Sequence, residues 1–574
     1  MKALGSTLGE EFVPGSNLKG AVEGANWCFL LPSLEIGRVV SVGAPSPSAL
    51  ATLSRLSNEI VVWAPSRDLR RLRAVIGGDG SKISLLETDG GPIPLPDGSA
   101  DVMLLARHGL AGSLSHDRTT QDEFDRLLKP GGVAYAEFRP SLHRLATTRA
   151  VERAFGLLGP PQFVWLAPAF GEMRAAASRA DGPSIAYLER GFLTRRLLRL
   201  HLVRRPGRVL GRHVVTNRIF GRCGALASRP EIDLAAGPPD YLRSVAAEAG
   251  VHIERGRWGF AAPGDYRSQK LLFFIFTGAK EAPDSVVKMT RDAKLNPRLE
   301  REWHALTLLQ ERGIGDEGTV PRPIFFGRHA GLAIVGETAV DGVPFRERTQ
   351  ATADCPYARD VVDWLLALGR LTAHRQPAGS PGIAAWLEAL LERFAELYRV
   401  DSVHGDFLAD QVAVIARSEM DLPLVFQHGD PGPWNLMVTP EGRPAFLDWE
   451  AADPEGVPLW DIFHFLRSFG LAISRRMGRS DPVRSFTEQV LADSDLNRLI
   501  VQTTTRFCAA TALRPQLVEP LFYLCWMHRA LKEAPRLHPA RLDTGRYVNL
   551  LRRAIDQRDA PGLRRLFSLS APAG

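Results

Sequence analysis

Residues 425–450 read VFQHGDPGPWNLMVTPEGRPAFLDWE. Two short apolar runs, VFQ and LMV, flank a tight loop, and a third run, PAFLDW, ends at an acid, which is the pattern of strands around a hairpin. Asp430 and Asn435 lie five residues apart on the loop, and Asp448 closes the adjacent strand. Phosphoryl transfer needs a carboxylate beside the attacking hydroxyl and oxygen ligands that hold magnesium against the phosphates. This spacing can aim one carboxylate at a substrate and give an amide and a second carboxylate to a metal. A second His-Gly-Asp occurs in HGDFLADQ, residues 404–411, with Gln411 in place of the asparagine. No acid ends a strand at the matching distance, since position 424 is leucine, so 428–435 is the chosen loop.

With His428, Asp430, Asn435 and the Asp448-Trp449-Glu450 triplet in place, the stretch resembles the aminoglycoside phosphotransferase and choline kinase family, relatives of protein kinases in fold. The resemblance implies a two-lobed α+β domain that uses ATP and Mg²⁺ to phosphorylate a hydroxyl of a small molecule. It implies Asp430 as the catalytic aspartate and Asn435 and Asp448 as metal ligands. His428 would hold the loop's shape, Glu450 would support it, and Asp461 in PLWDIFHFL would be structural. A kinase-type amino lobe also needs a strand lysine for the phosphates and a helix glutamate to hold it. Lys288 in SVVKMT has the strand context and is one of only nine lysines in an arginine-rich chain. Glu302, in REWHAL, is its expected partner. The AAPGD loop, with Gly264, stands where a phosphate-covering loop belongs. AIVGETAVDG resembles the family's hinge, which places Glu337 and its neighbours beside the adenine.

Working outward, strands and helices alternate from residue 36: RVVSVGA, PSPSALATLSRLS, EIVVWAP, ISLLETD, ADVMLLARHG, TQDEFDRLL, the turn KPGG and VAYAEFRP. Such alternation argues for a doubly wound parallel sheet. PIPLPDGSADVMLLARHGL followed by EFDRLLKPGGVAYAEF resembles a class I methyltransferase, whose cofactor is S-adenosylmethionine. The family's acid and glycine cluster after the first strand reads SVGAPSPSA here, with Ser41 at the acidic place and Gly43 as its glycine. The expected organisation is a methyltransferase-like α/β domain over 1–230, a linker over 231–245, a kinase-like amino lobe over 246–340 and a helical carboxyl lobe over 341–574. The functional reading is an ATP- and Mg-dependent phosphotransferase. Two others stay open: a catalytically silent nucleotide-binding scaffold, and a kinase that also methylates.

Composition bounds the partners. The 574 residues carry a formal charge of +7, but from residue 346 onward 27 basic side chains meet 28 acidic ones. The excess lies upstream, where 195–222 holds nine arginines; that segment suits an acidic surface, and no nucleic-acid motif accompanies it. Five cysteines without a CxxC pair, no apolar leader and no membrane-length apolar run give a cytoplasmic expectation.

Overall fold

The computed structural model describes residues 26–45, 47–73, 82–88, 91–106, 118–138, 155, 158, 161–167, 172–177, 222–228, 237–253, 257–263, 270–277, 282–315 and 317–569. They fall into two units, Asn17–Leu299 with Pro323–Ala339, and Glu300–Arg322 with Val340 onward.

The first unit is organised on one sheet. Its opening elements are β1 (Ile36–Val42), α1 (Pro47–Leu56), β2 (Ser57–Ala64), α2 (Ser66–Arg73), β3 (Ile83–Glu87), β4 (Ala100–Leu105), α3 (Arg118–Leu127) and β5 (Leu128–Phe138). The strands run parallel in the order β3-β2-β1-β4-β5, the methyltransferase-like doubly wound arrangement the alternation foretold. Their apolar runs are buried on both faces: Val39, Val62 and Val102 join one core and Val40, Val61 and Met103 another. KPGG is not a turn between elements but part of β5, where the register shifts against β4. Gly131 supplies the left-handed backbone there, at φ 79°.

Antiparallel strands continue the sheet: β6 (Gln162–Ala167), β7 (Glu172–Ala177) and β8 (Arg222–Ser228), then β9 (Arg257–Pro263), β10 (Lys270–Phe276), β11 (Ser285–Thr290), β12 (Pro323–His329) and β13 (Leu332–Thr338). The full order is β12-β13-β11-β10-β9-β7-β6-β8-β5-β4-β1-β2-β3. The strands read as an amino lobe therefore continue the α/β block, joined where β7 pairs with β9 from Glu172↔Pro263 to Ala176↔Gly259. One apolar cluster runs from Trp27 and Phe29 through Tyr241, Trp258 and Phe273 to Ile334. The expected linker needs correction as well. Its last six residues begin the helix α4 (Asp240–Glu248), because Tyr241, Leu242 and Val245 recur at helical spacing and are buried. Tyr241 donates its hydroxyl proton to the Phe29 carbonyl at 2.9 Å.

The helix α5 (Asn296–Glu311) leads from these strands into the second unit. That unit contains β14 (Val343–Pro344), α6 (Pro356–Thr372), β15 (His374–Pro377), α7 (Pro381–Leu397), α8 (Ser402–Ala416), β16 (Asp421–Gln427), β17 (Leu436–Val438), β18 (Pro444–Phe446) and β19 (Asp453–Gly456). It ends with α9 (Trp460–Arg476), α10 (Asp495–Thr511), α11 (Val518–Glu533) and α12 (Arg546–Asp556), besides shorter turns. Two three-stranded sheets, β14-β17-β18 and β15-β16-β19, lie among helices whose apolar stripes meet at Trp449, Phe465, Phe469, Tyr523 and Trp526. HGDFLADQ lies inside α8, capped by Asp401 through the His404 amide. A helix cannot offer the bent loop that the same three residues make at 428–430. Among the described residues no helix is long and apolar enough to cross a membrane.

Candidate active site

The loop 428–435 joins β16 to β17, and backbone polarity fixes its shape. The His428 amide donates to Asp461 Oδ2 at 2.6 Å and the Gly429 amide to Asp461 Oδ1 at 3.1 Å. Asp461 stands in the first turn of α9 and is buried, which pushes its carboxyl upward even as His428 and the two amides draw it down. His428 is fully buried; its Nε2 donates to the Leu447 carbonyl at 3.0 Å and its Nδ1 accepts from the Asp430 amide at 3.2 Å. Those partners set one neutral tautomer, and burial lowers the imidazole's pKa. Gly429 has φ 78°, and a β-carbon there would lie 1.9 Å from the Ala451 carbonyl oxygen, so no other residue fits the bend.

The loop presents the Asp430 carboxylate with 31% of its side chain exposed. Oδ1 accepts from His464 Nε2 at 2.9 Å, with Arg529 Nη1 at 3.5 Å, while Oδ2 accepts from Trp434 Nε1 at 3.1 Å and Asn435 Nδ2 at 3.3 Å. Burial alone would raise this carboxyl; the bond from His464, the Arg529 charge and the Trp434 bond together hold it well below the usual range. His464 itself is pushed down to about 3 by burial and by Arg529, so at neutral pH it is a neutral donor to an ionised aspartate.

Asn435 spends its Nδ2 on the Asp430 carbonyl at 3.0 Å and on the carboxylate, which leaves Oδ1 as a neutral oxygen donor. The Leu447 amide donates to the Asn435 carbonyl at 2.8 Å, tying the end of the β17–β18 hairpin to the loop. Asp448 follows with φ 70°, a left-handed conformation that aspartate tolerates better than most residues. The Trp449 amide beyond it donates to Glu302 Oε1 at 2.9 Å, and the Glu450 carbonyl accepts from Arg301 at 3.0 Å. Glu302 thus anchors the turn that carries Asp448. Among the described residues no cluster of three or more His, Cys, Asp or Glu side chains is arranged to hold a metal. An amide oxygen plus one carboxylate fits a Mg²⁺ ion that keeps waters and takes phosphate oxygens for its remaining positions.

In the first unit, Lys288 sits on β11 between Leu272 of β10 and Val335 of β13, and only 5% of it is exposed. Its ammonium lies 2.7 Å from Glu337 Oε1. Glu337 opposes Val286, two residues before Lys288, so the two charges form a diagonal pair on one face of the sheet. Glu337, placed by the sequence at a hinge, is thus an ion-pair partner of the lysine. Gly264 and residues 195–221 lie outside the described residues. In the α/β block the Ser41 hydroxyl donates to the Gly43 carbonyl at 2.8 Å, within its own turn.

His464, Arg529 and Trp434 were not among the residues the sequence singled out. The first had a signal: His464 lies one helical turn after Asp461, so both face the loop. Arg529, almost a hundred positions downstream, had none.

The fold and this loop define a kinase-type phosphotransferase domain. Residues 268–480 match the model of the phosphotransferase enzyme family, APH. No curated protein matches the sequence. Among solved structures, the bifunctional kinase-methyltransferase WbdD is similar over 83% of this chain and 84% of its own, at 13% identity and a TM-score of 0.23. The aminoglycoside phosphotransferase APH(3'')-Id of Streptomyces rimosus covers 47% of this chain and 90% of its own, at 15% identity and a TM-score of 0.28. The ethanolamine kinase of Plasmodium vivax covers 52% and 81%, at 13% identity and a TM-score of 0.32.

Proposed function

We propose that this chain phosphorylates a hydroxyl of a small molecule, with ATP as donor and Mg²⁺ as the metal. One observation carries the reading: an ionised, partly exposed Asp430 shares its loop with the metal-suited oxygen of Asn435, and the hairpin that brings Asp448 is bonded to that loop. Asp430 orients the acceptor hydroxyl and takes its proton as the oxygen attacks phosphorus. His464 and Trp434 keep the carboxylate aimed, and His428 and Asp461 keep the loop bent. Asn435 and Asp448 would hold the Mg²⁺, which supplies charge neutralisation to the phosphates when bound. Lys288, steadied by Glu337, would serve the nucleotide phosphates as a compact cation. Trp434 is 49% exposed and offers an apolar face beside the carboxylate, which suits a ring-shaped acceptor.

The test is ADP release from Mg-ATP across a panel of hydroxyl compounds, with the parental chain and with Asp430→Ala. The variant is expected to lose about 10²–10⁴ in kcat while Mg-ATP still binds. Turnover at the parental rate would remove Asp430 from its role and the proposal with it.

A further inference from the structure

The second unit has a nearly balanced charge from residue 346 onward, yet its distribution is uneven around Asp430. Arg529 and Lys532 lie one turn apart on α11, and Arg467 lies one turn beyond His464 on α9. Lys532 is the only lysine after residue 294 in the whole chain. Its ammonium makes no hydrogen bond or ion pair with any described residue. Arg467 is only 3% exposed, and neither of its terminal nitrogens has a hydrogen-bond acceptor among the described residues; its guanidinium lies 5.2 Å over the Tyr547 ring. Arg529 is 8% exposed and reaches its single carboxylate, Asp430, only at the long distance of 3.5 Å. The carboxylates around these cations carry other bonds as well: Asp453, which feels the Lys532 charge, accepts from the Glu455 amide at 3.0 Å, and Glu533, which acts on Arg467, accepts from the Tyr547 amide at 3.0 Å. Asp461 is taken up by two backbone amides, and Asp430 by His464, Trp434 and Asn435.

Cations withdrawn from water without a paired anion are costly unless a ligand supplies the charge. Burial, with the Arg529 charge added to it, acts on two groups on separate helices. His464 is driven down to about 3 by burial and Arg529, although it sits 2.9 Å from a carboxylate. Lys532 is lowered to about 8 by burial and then by Arg529.

Resting on the phosphotransferase reading, we infer that the acceptor is an anionic hydroxyl compound. It bears a phosphate or carboxylate near the hydroxyl that reacts, with Lys532 and Arg529 receiving that anion and Arg467 reinforcing the field from behind. A polycationic acceptor is disfavoured by the same charges. Lys532 is the residue to perturb, because Arg529 also touches Asp430 and Arg467 is too buried to meet a ligand.

The experiment compares matched acceptors by ADP release: glucose, glucosamine, glucuronate and glucose 1-phosphate, each with the parental chain, Lys532→Gln and Lys532→Arg. Glucuronate or glucose 1-phosphate should exceed glucose by about tenfold or more in kcat/KM, the equivalent of one charge-assisted contact, with glucosamine slowest. Lys532→Gln should erase most of that preference through the acceptor's KM, and Lys532→Arg should restore it. Inorganic sulfate should compete with the anionic acceptor rather than with ATP. Faster turnover of glucose or glucosamine would overturn the anionic acceptor while leaving the phosphotransferase in place. So would a Lys532→Gln defect confined to the KM of ATP, since the cations would then serve the donor's phosphates. No ADP release with any acceptor would overturn both readings together.

Discussion

Replacing His464 by leucine separates positioning from folding at this site. The imidazole is fully buried and makes one hydrogen bond, Nε2 to Asp430 Oδ1 at 2.9 Å, while its Nδ1 has no partner among the described residues. A bond to a charged acceptor contributes about 1.5–3 kcal/mol, and the low end applies because Asp430 is 31% exposed. Losing about 1.5–2 kcal/mol of carboxylate alignment corresponds to roughly a ten- to thirtyfold fall in kcat. Stability should respond differently. Leucine removes a buried polar atom that now lacks a partner, which offsets the lost bond, so the unfolding midpoint should stay within about 1 kcal/mol of the parental value. The assay is steady-state ADP release with the best acceptor of the panel, alongside urea unfolding. The expected pattern is a lowered kcat, an unchanged KM for ATP, near-parental stability and partial recovery in His464→Gln, whose amide can still donate. Parental kcat in His464→Leu would refute the claim that this imidazole aims Asp430, and a large stability loss would show its role to be packing.

Asp461→Ala strips two buried amides, those of His428 and Gly429, of their acceptor, and should lower stability by about 2–4 kcal/mol in urea unfolding together with activity. Lys288→Met and Glu337→Gln each break the buried ion pair and should each cost about 3–5 kcal/mol; thermal unfolding of the double variant should show less than the sum. For anionic acceptors, kcat/KM should be sustained below pH 8 and fall as pH rises through about 8, where Lys532 loses its proton. Burial, Arg529 and Arg301 push that lysine down and Asp430 and Asp461 pull it up; a neutral acceptor should show no such fall, and equal profiles for both would contradict the assignment.

How much of this could be read in the sequence depends on how local each feature is. The eight residues His428 to Asn435 and the strand ending at Asp448 were legible because their loop and hairpin are specified by neighbours in the chain. HGDFLADQ was passed over for lacking a strand-borne acid; the structure adds that it lies within a helix. Residues supplied from afar were not legible. Arg529 reaches the loop from α11, with Lys532 one turn further on, and nothing in LCWMHRALKE distinguishes them from a solvated turn. Lys288 was legible as a strand lysine, but its pairing with Glu337 depends on the β11–β13 register, which composition does not set. The parallel half of the sheet followed from alternating strands and helices. Its continuation did not, because β7, EMRAAA, has weak strand propensity and is recruited by the edges of β6 and β9.

That shared sheet restricts how the gene can be dissected. Cutting the chain near residue 240 to express the family-matching part alone would strip β9 of its β7 neighbour and leave a bare row of amides and carbonyls. It would also tear Trp27, Phe29 and Leu34 away from the aromatic cluster around Trp258 and Phe273. A fragment made that way would be a sticky half-sheet rather than a miniature enzyme, so its silence in an assay would say nothing about the intact molecule.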